Sequence, residues 1–287
     1  MILDLKSKSQ VIVFGRGIGK TLLYIVLICF GITMIFPFLW MVSTSLKQNQ
    51  SIFEYPPTLI PREPTTTFYT YVFTRYPTLA AFINSIKIAG INTIGILLSA
   101  SMAAYGFAKL RFKGKNVLFM ILLATMMIPN QVTLIPMFIW FRTLGWIDTH
   151  LPLIIPVVLC NAYGVFLLRQ FMMTIPDSLS ESAKIDGASQ LIIFFRIILP
   201  LCIPALATLG LFSFMGSWNS FLVPLIYLNT EKKYTIPLII MSFKNQYYSD
   251  WGLMMAAASV SIVPVIIIYI FAQRFFIEGV VLSGIKG

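Results

Sequence analysis

The segment Glu181-Ser-Ala-Lys-Ile-Asp-Gly-Ala-Ser189 places two carboxylates and one ammonium between two uncharged apolar runs. Such a group could serve acid–base catalysis or form ion pairs across an interface. Catalysis needs a nucleophile beside a base. The sequence has a single histidine, His150, outside the segment, and no Ser or Cys set beside a base. Docking by charge is the chemistry that is left. A second candidate, Gly15-Arg-Gly-Ile-Gly-Lys-Thr21, approaches a phosphate-binding loop and fails it. That loop needs four residues between its first Gly and the Gly-Lys pair, and only three stand here, with Phe14 where the glycine belongs. A long apolar run follows at once, so no nucleotide-binding sheet can, and the chain is not expected to hydrolyse ATP. Cys29, Cys160 and Cys202 lie in or beside apolar runs without short spacing, and read as small buried hydrophobes.

The elements around these residues follow from hydropathy. The chain is 58% apolar and 11% charged, against about 25% charge in a soluble domain. Uncharged runs cover Thr21–Leu46, Ile88–Ala108, Asn116–Phe141, Leu151–Leu168, Ile197–Thr230 and Trp251–Gln273. A spanning helix takes roughly 17–25 mostly apolar residues, so each run supplies one. The long run from Ile197 contains Pro200, Pro204 and Pro224, and reads as a helix end, one span from about Pro204, and an exit. Span two is expected over about Ala81–Tyr105. Tyr234–Phe243 is too short to cross and reads as an interfacial or loop segment. The expected fold is an all-α integral membrane protein of six transmembrane helices. Residues 1–20 form a basic arm and 21–287 one membrane domain, with outer loops at about 43–80 and 229–250. Pro129 and Pro136 should break span three. Five prolines in the first outer loop favour an extended or turn-rich cover. The first apolar run is too long for a signal-peptide core and reads as an uncleaved span.

The net charge of +11 is a topology signal, not one for nucleic acid. Lys6, Lys8, Arg16, Lys20, Lys109, Arg111, Lys113, Lys115, Arg169, Lys184, Arg196, Arg274 and Lys286 fall on one side of the expected spans. The other side has Lys47, Arg62, Arg75, Arg142, Lys232, Lys233 and Lys244. Thirteen against seven places both termini and the 181–189 loop in the cytoplasm.

Within that loop, Ser178-Leu-Ser-Glu181 fits a capping box, so a helix should start near Leu179. Gly187 should end or bend it. A second amphipathic stretch, Ala188–Leu199, carries Leu191, Phe194, Phe195 and Ile198 at helical spacing, and Pro200 should stop it. Ala183 and Ala188 offer a small face for close approach, and Glu181 and Asp186 charges for pairing. On these grounds a docking knob and an ordinary connector lying on the membrane fit equally well. Elsewhere, Asn, Ser and Thr recur within the apolar runs and serve either a polar path or helix–helix packing. Asn130, Trp218 and Asn219 are the best candidates for a path. No carboxylate lies mid-membrane, so a proton- or sodium-coupled carrier lacks its usual groups.

Glu181, Ala183, Asp186, Gly187 and Ala188, with a later Leu199-Pro200, match the EAA pattern E-x-A-x-x-D-G-A. Asn84-Ser85, Ala103–Ala108, Met127–Asn130, Leu144–Trp146, Gly216–Asn219, Gln273–Phe276 and a terminal Lys286-Gly287 agree with it. Together they resemble, over nearly the whole chain, carbohydrate permeases of ABC importers, of the type of the smaller maltose-permease subunit. The resemblance implies a type I importer permease fold in a bacterial or archaeal cytoplasmic membrane. It implies a coupling helix, in a loop of about 177–200, seated on an ATPase. It implies a second related permease, two ATPase subunits that bind ATP and Mg in place of any cofactor in this chain, and an extracytoplasmic sugar-binding protein. The outer loop 229–250 would then reach toward the binding protein with Tyr234, Phe243, Tyr247 and Tyr248, and the terminal Lys286-Gly287 would contact the ATPase pair. The alternatives are an importer for a non-sugar solute, such as an amino acid or phosphate ester, and a stand-alone secondary carrier.

Overall fold

A computed structural model describes the backbone over residues 3–159, 161–244 and 250–284, and the side chains over 20–159, 161–244 and 250–273. Cys160, Tyr247, Tyr248 and the Lys286-Gly287 tail lie outside the described residues. The first helix, α1 (Leu3–Ser45), runs unbroken from the basic arm through the first apolar run. The short α2 (Thr67–Thr74) sits in the turn-rich 46–77 segment. Next come α3 (Thr78–Lys109), then α4 (Lys115–Thr125) and α5 (Asn130–Thr143), then α6 (Leu151–Leu159) and α7 (Ala162–Met173). The docking segment supplies α8 (Asp177–Ile185) and α9 (Gln190–Ile193), a π-helical turn over Phe194–Ile198 and α10 (Leu199–Leu201). The chain finishes with α11 (Ile203–Trp218), α12 (Leu222–Tyr227), α13 (Ile236–Ser242) and α14 (Trp251–Gly284).

Four stretches are long and apolar enough to cross a membrane: Lys20–Ser45, Thr78–Lys109, Leu151–Met173 and Trp251–Gln273. Two bent pairs, each counted as one span, bring the candidate crossings among the described residues to six. One is α4 with α5, bent by 93°; the other is Gln190–Leu201 with α11, bent by 79°. Proline accounts for the first. Pro129 has no N–H to continue the helix and adopts an extended ψ of 132°, after three turn bonds from Met126, Met127 and Ile128 to carbonyls three residues back. Pro136 stays inside α5 without ending it. Near the second bend the helix continues through Pro200, which the sequence marks as a stop. It does so by widening to a π-turn just before the ring and breaking two residues later, at Cys202.

The membrane core sits where α3, α7 and α11 meet. Small residues let these helices approach: Ala100 and Ala104 on α3, Gly164 on α7 and Ala205 on α11. Asn161 caps α7, its Oδ1 accepting from the Gly164 N–H at 2.6 Å. A Cβ on Gly164 would stand 2.7 Å from that oxygen and 3.1 Å from both Ala100 and Leu209. By contrast, α1 lies mainly against α14, and the apolar residues of its spanning stretch are exposed. Cys29 on α1 is exposed and Cys202 is buried; the expectation of a buried Cys29 fails because the described residues leave the Lys20–Ser45 stretch of that helix uncovered apart from its contact with α14.

The chain ends of the spans sort into two sets. One contains the 110–114 turn and the α8–α9 loop. The other contains the 46–77 cover, the 144–150 turn and the 228–243 segment. The cover is pinned to the end of α1: Lys47 Nζ donates to Thr58 O at 2.6 Å, Ser45 and Tyr69 share a 2.7 Å hydroxyl contact, and Ser43 bonds Leu59 O.

Candidate docking loop

Helix α8 begins at Asp177, two residues before the expected start, and Ser178 lies inside it, so no capping box forms. The extended backbone of Pro176 leads in without a side-chain cap. Asp177 in the first turn and Lys184 in the last both oppose the helix dipole, which favours a helix of nine residues that local propensity alone would leave marginal. The C-terminus is a Schellman motif: Ala188 N–H bonds Ala183 O at 2.9 Å and Gly187 N–H bonds Lys184 O at 3.0 Å. That geometry needs a left-handed residue, which Gly187 supplies at φ +80°. Ser189 then opens α9, its Oγ accepting from Ile192 N–H at 3.4 Å.

This turn splits the five EAA positions into two groups. Ala183 is buried among Tyr105, Met172, Ile175 and Phe194, and Ala188 packs on the same cluster. The two alanines therefore seat the loop on its own membrane domain. They do not form the small face offered to a partner, because the Schellman turn folds Ala188 back over Ala183. Glu181, Asp186 and Gly187 are exposed. Neither carboxylate has an ion pair among the described residues. Ile185 is 86% exposed and Leu179 is also exposed, so the outward face is a mixed apolar and acidic knob. Leu179 and Ile185 were not singled out from the sequence. Their signal was the helical phase: they lie off the Ser180–Ala183 face that goes inward.

A cavity of about 280 Å³ opens between α3, α6, α7, α11 and α12, with Asn92, Asn161, Tyr163, Ser213, Ser217, Ser220 and Thr235 among its lining residues. Asn92 is 2% exposed. It donates to Leu153 O and to Ser217 Oγ, both at 3.0 Å, and ties three spans together. None of Asn130, Trp218 and Asn219 lines this cavity. Asn130 and Asn219 are exposed at helix ends. Trp218 is buried against Phe82, Ala89 and Phe214, and its indole N–H bonds Ser261 O at 3.2 Å. It is a packing residue here, because α14 already takes its one donor.

The 228–243 segment is held by a knot at Asp148. The Asp148 carboxylate accepts from Asn229 N–H and Thr230 N–H, both at 2.9 Å, from Thr230 Oγ1 at 2.7 Å and from Lys233 Nζ at 2.8 Å. His150 Nε2 meets Lys233 O at 2.9 Å. Tyr234 is half-buried, while Phe243 is buried with its ring 4.7 Å from Tyr76. Phe243 is thus a core residue and not a contact residue, since the short α13 is drawn inward by Ile236 and Ile239. The Lys233 ammonium first, then the Thr230 and Asn229 donors, hold the Asp148 carboxyl well below the usual carboxylate range. A depressed acid stabilises the fold above its unfolded pKa and loses that contribution only as pH falls through its folded one. Protection of 229–233 from proteolysis is therefore expected to stay constant from pH 8 to about 4, the ordinary carboxylate value. Asp148→Ala should abolish that protection at every pH, and limited proteolysis of inside-out and right-side-out vesicles would record both.

The profile of the family described as binding-protein-dependent transport system inner membrane component matches residues 95–281. The chain belongs to this family. Among permeases of known role, it is 33% identical to a galactooligosaccharides transport system permease protein of Bacillus subtilis, over 100% of each chain. It is 33% identical to an arabinooligosaccharides transport system permease protein of Halalkalibacterium halodurans, over 88% of this chain and 91% of the other. Among solved structures, a chain of a bacterial ABC transporter involved in the import of the acidic polysaccharide alginate superposes with a TM-score of 0.79 and 26% identity. The match covers 90% of this permease and 96% of that chain.

Proposed function

We propose that this permease is one of two membrane subunits of an ABC importer for a sugar or oligosaccharide. Two ATPase subunits bind ATP and Mg and dock on Glu181, Asp186 and Gly187, with Leu179 and Ile185 filling the apolar part of the contact. The observation that carries the reading is the capped, charged α8 knob projecting from a membrane domain of this family. A helix of nine residues is held there by its Schellman turn and by Ala183 and Ala188, so it presents a rigid face to a partner. Both termini and the knob lie in the cytoplasm on this reading, supported by the thirteen basic residues of that side. A carbohydrate solute is supported by the relatives named for galacto- and arabinooligosaccharides and by the alginate importer. The polar cavity at Asn92, and the exposed Asn130 and Asn219, offer amide and hydroxyl partners for such a solute once a second permease completes the path. An extracytoplasmic binding protein delivers it to the opposite side, near the 228–243 segment.

The test is reconstitution of this chain with its second permease and ATPase pair in vesicles. The expected result is uptake of oligosaccharide that requires both internal ATP and external binding protein. Uptake that continues without the ATPase pair would make the chain a carrier instead. ATP-dependent uptake of amino acids or phosphate esters, with none of oligosaccharides, would move the substrate class.

A further inference from the structure

The helix α3 is joined to both functional ends of the molecule by side-chain bonds, and it runs unbroken between them. At its cytoplasmic end Lys109 Nζ donates to Ile175 O and to Asp177 Oδ1, each at 2.6 Å, which fixes the start of α8. The Lys109 side chain is 6% exposed, so this ion pair is shielded on one side and is not an ordinary surface contact. One turn earlier, Tyr105 OH donates to Gln190 Oε1 at 2.8 Å, which fixes the start of α9. The two bonds bracket the docking knob. At the opposite end Asn84 Nδ2 donates to Lys232 O at 3.0 Å and to Tyr234 O at 3.1 Å, and Ser85 Oγ accepts from Ile236 N–H at 2.9 Å. These fix the outer segment where α13 begins.

Between Asn84 and Lys109 the helix covers about 38 Å at 1.5 Å per residue. Sharp kinks in helices arise mostly at proline. The other three stretches long enough to cross contain Pro37, Pro152 with Pro156, and Pro264, while Thr78–Lys109 contains none. The two bent pairs are broken outright. We propose that α3 is a rigid strut that carries displacement between the α8 knob and the outer 228–243 segment, with Lys109, Tyr105 and Asn84 as positioning residues at its ends. The strut rests on the importer reading above. On that reading, it lets arrival of the binding protein outside alter the ATPase seat inside, and the reverse.

The experiment uses the complete transporter in nanodiscs and reads ATPase activity with and without the binding protein. Asn84→Ala and Lys109→Met are each expected to lower the stimulation by about fivefold or more, within the usual range of coupling between sites. Complex yield and unstimulated ATPase activity should stay near wild type. Lys109→Arg keeps a donor for the same two oxygens and should keep most of the stimulation. The double variant Asn84→Ala with Lys109→Met should fall no further than the worse single variant, because one strut is cut twice. Distant independent sites would instead multiply their losses. Should Lys109→Met lower complex yield, Tyr105→Phe, which removes only the bond to Gln190, replaces it in the cycle. Full stimulation in the assembled single variants, or multiplied losses in the double variant, would overturn the strut while leaving the importer reading intact. A wild-type complex with no stimulation by the binding protein would overturn that reading and the strut with it.

Discussion

Gly187→Asp is expected to insert and reach the membrane at the wild-type level, and to lose coupled uptake. A Cβ at Gly187 meets nothing within 4 Å, so the substitution causes no clash. Its intrinsic cost is the left-handed backbone at φ +80°, about 1–2 kcal/mol for a residue with a Cβ. That is well within a typical folding stability of about 5–15 kcal/mol. The new carboxylate instead projects from the tip of the knob beside Asp186. If the knob is the ATPase seat, an extra charge there removes about 2 kcal/mol of docking energy, the scale of a hot-spot loss, or about thirtyfold in affinity. Uptake should fall by at least tenfold while the ATPase pair still hydrolyses ATP. Glu181→Lys, on the same exposed face, should behave alike. Transport and hydrolysis measured on one vesicle preparation distinguish this from simple loss of protein, and wild-type uptake in both variants would remove the knob from the mechanism.

Gly164→Val is expected to fail by the opposite route. Here any Cβ would press within 3.1 Å of Ala100 and Leu209, and 2.7 Å of the capping Asn161 oxygen, at the crossing of α3, α7 and α11. Overpacking of this kind costs about 1–3 kcal/mol, and the loss of the Asn161 cap adds about 1 kcal/mol. The steady-state amount of folded protein should drop severalfold, with uptake per folded complex much less affected. Quantified membrane protein and a detergent thermal-stability scan would measure it. An unchanged melting temperature would show that the three helices do not pack as closely as described.

Much of this architecture was readable from residue types. The uncharged runs mark the crossings because an apolar stretch of spanning length has few other uses, and the acidic Glu181–Asp186 pair stands out against them. Gly187 was legible as a helix stop because a left-handed C′ position selects glycine. The direction of each loop side chain was not legible. Ala183 and Ala188 look like a small outward face in sequence, yet the 6→1 bond of the Schellman motif rotates both onto Tyr105 and Phe194. Phe243 and Trp218 misled for a related reason: aromatics beside polar residues suit a ligand contact and tertiary packing equally, and only the neighbours decide. Trp218 has Phe82, Phe214 and the Ser261 carbonyl, which use its faces and its donor. Contacts between distant residues, such as Lys109 with Asp177 or Asp148 with the 229–233 turn, have no local signature, because hydropathy and spacing say nothing about which loops share an end.

The most direct measurement is a cross-link from the knob itself. Ser182 is exposed on α8, and Ser182→Cys, with Cys29, Cys160 and Cys202 replaced by Ser, gives a single reactive thiol. A short photoactivatable maleimide on that thiol, in the complete transporter in vesicles, should join this chain to the ATPase subunit, with a yield that changes when ATP is added. Cross-links only to lipid, or to the binding protein on the other side, would contradict the assignment of Glu181–Ser189 as the ATPase seat.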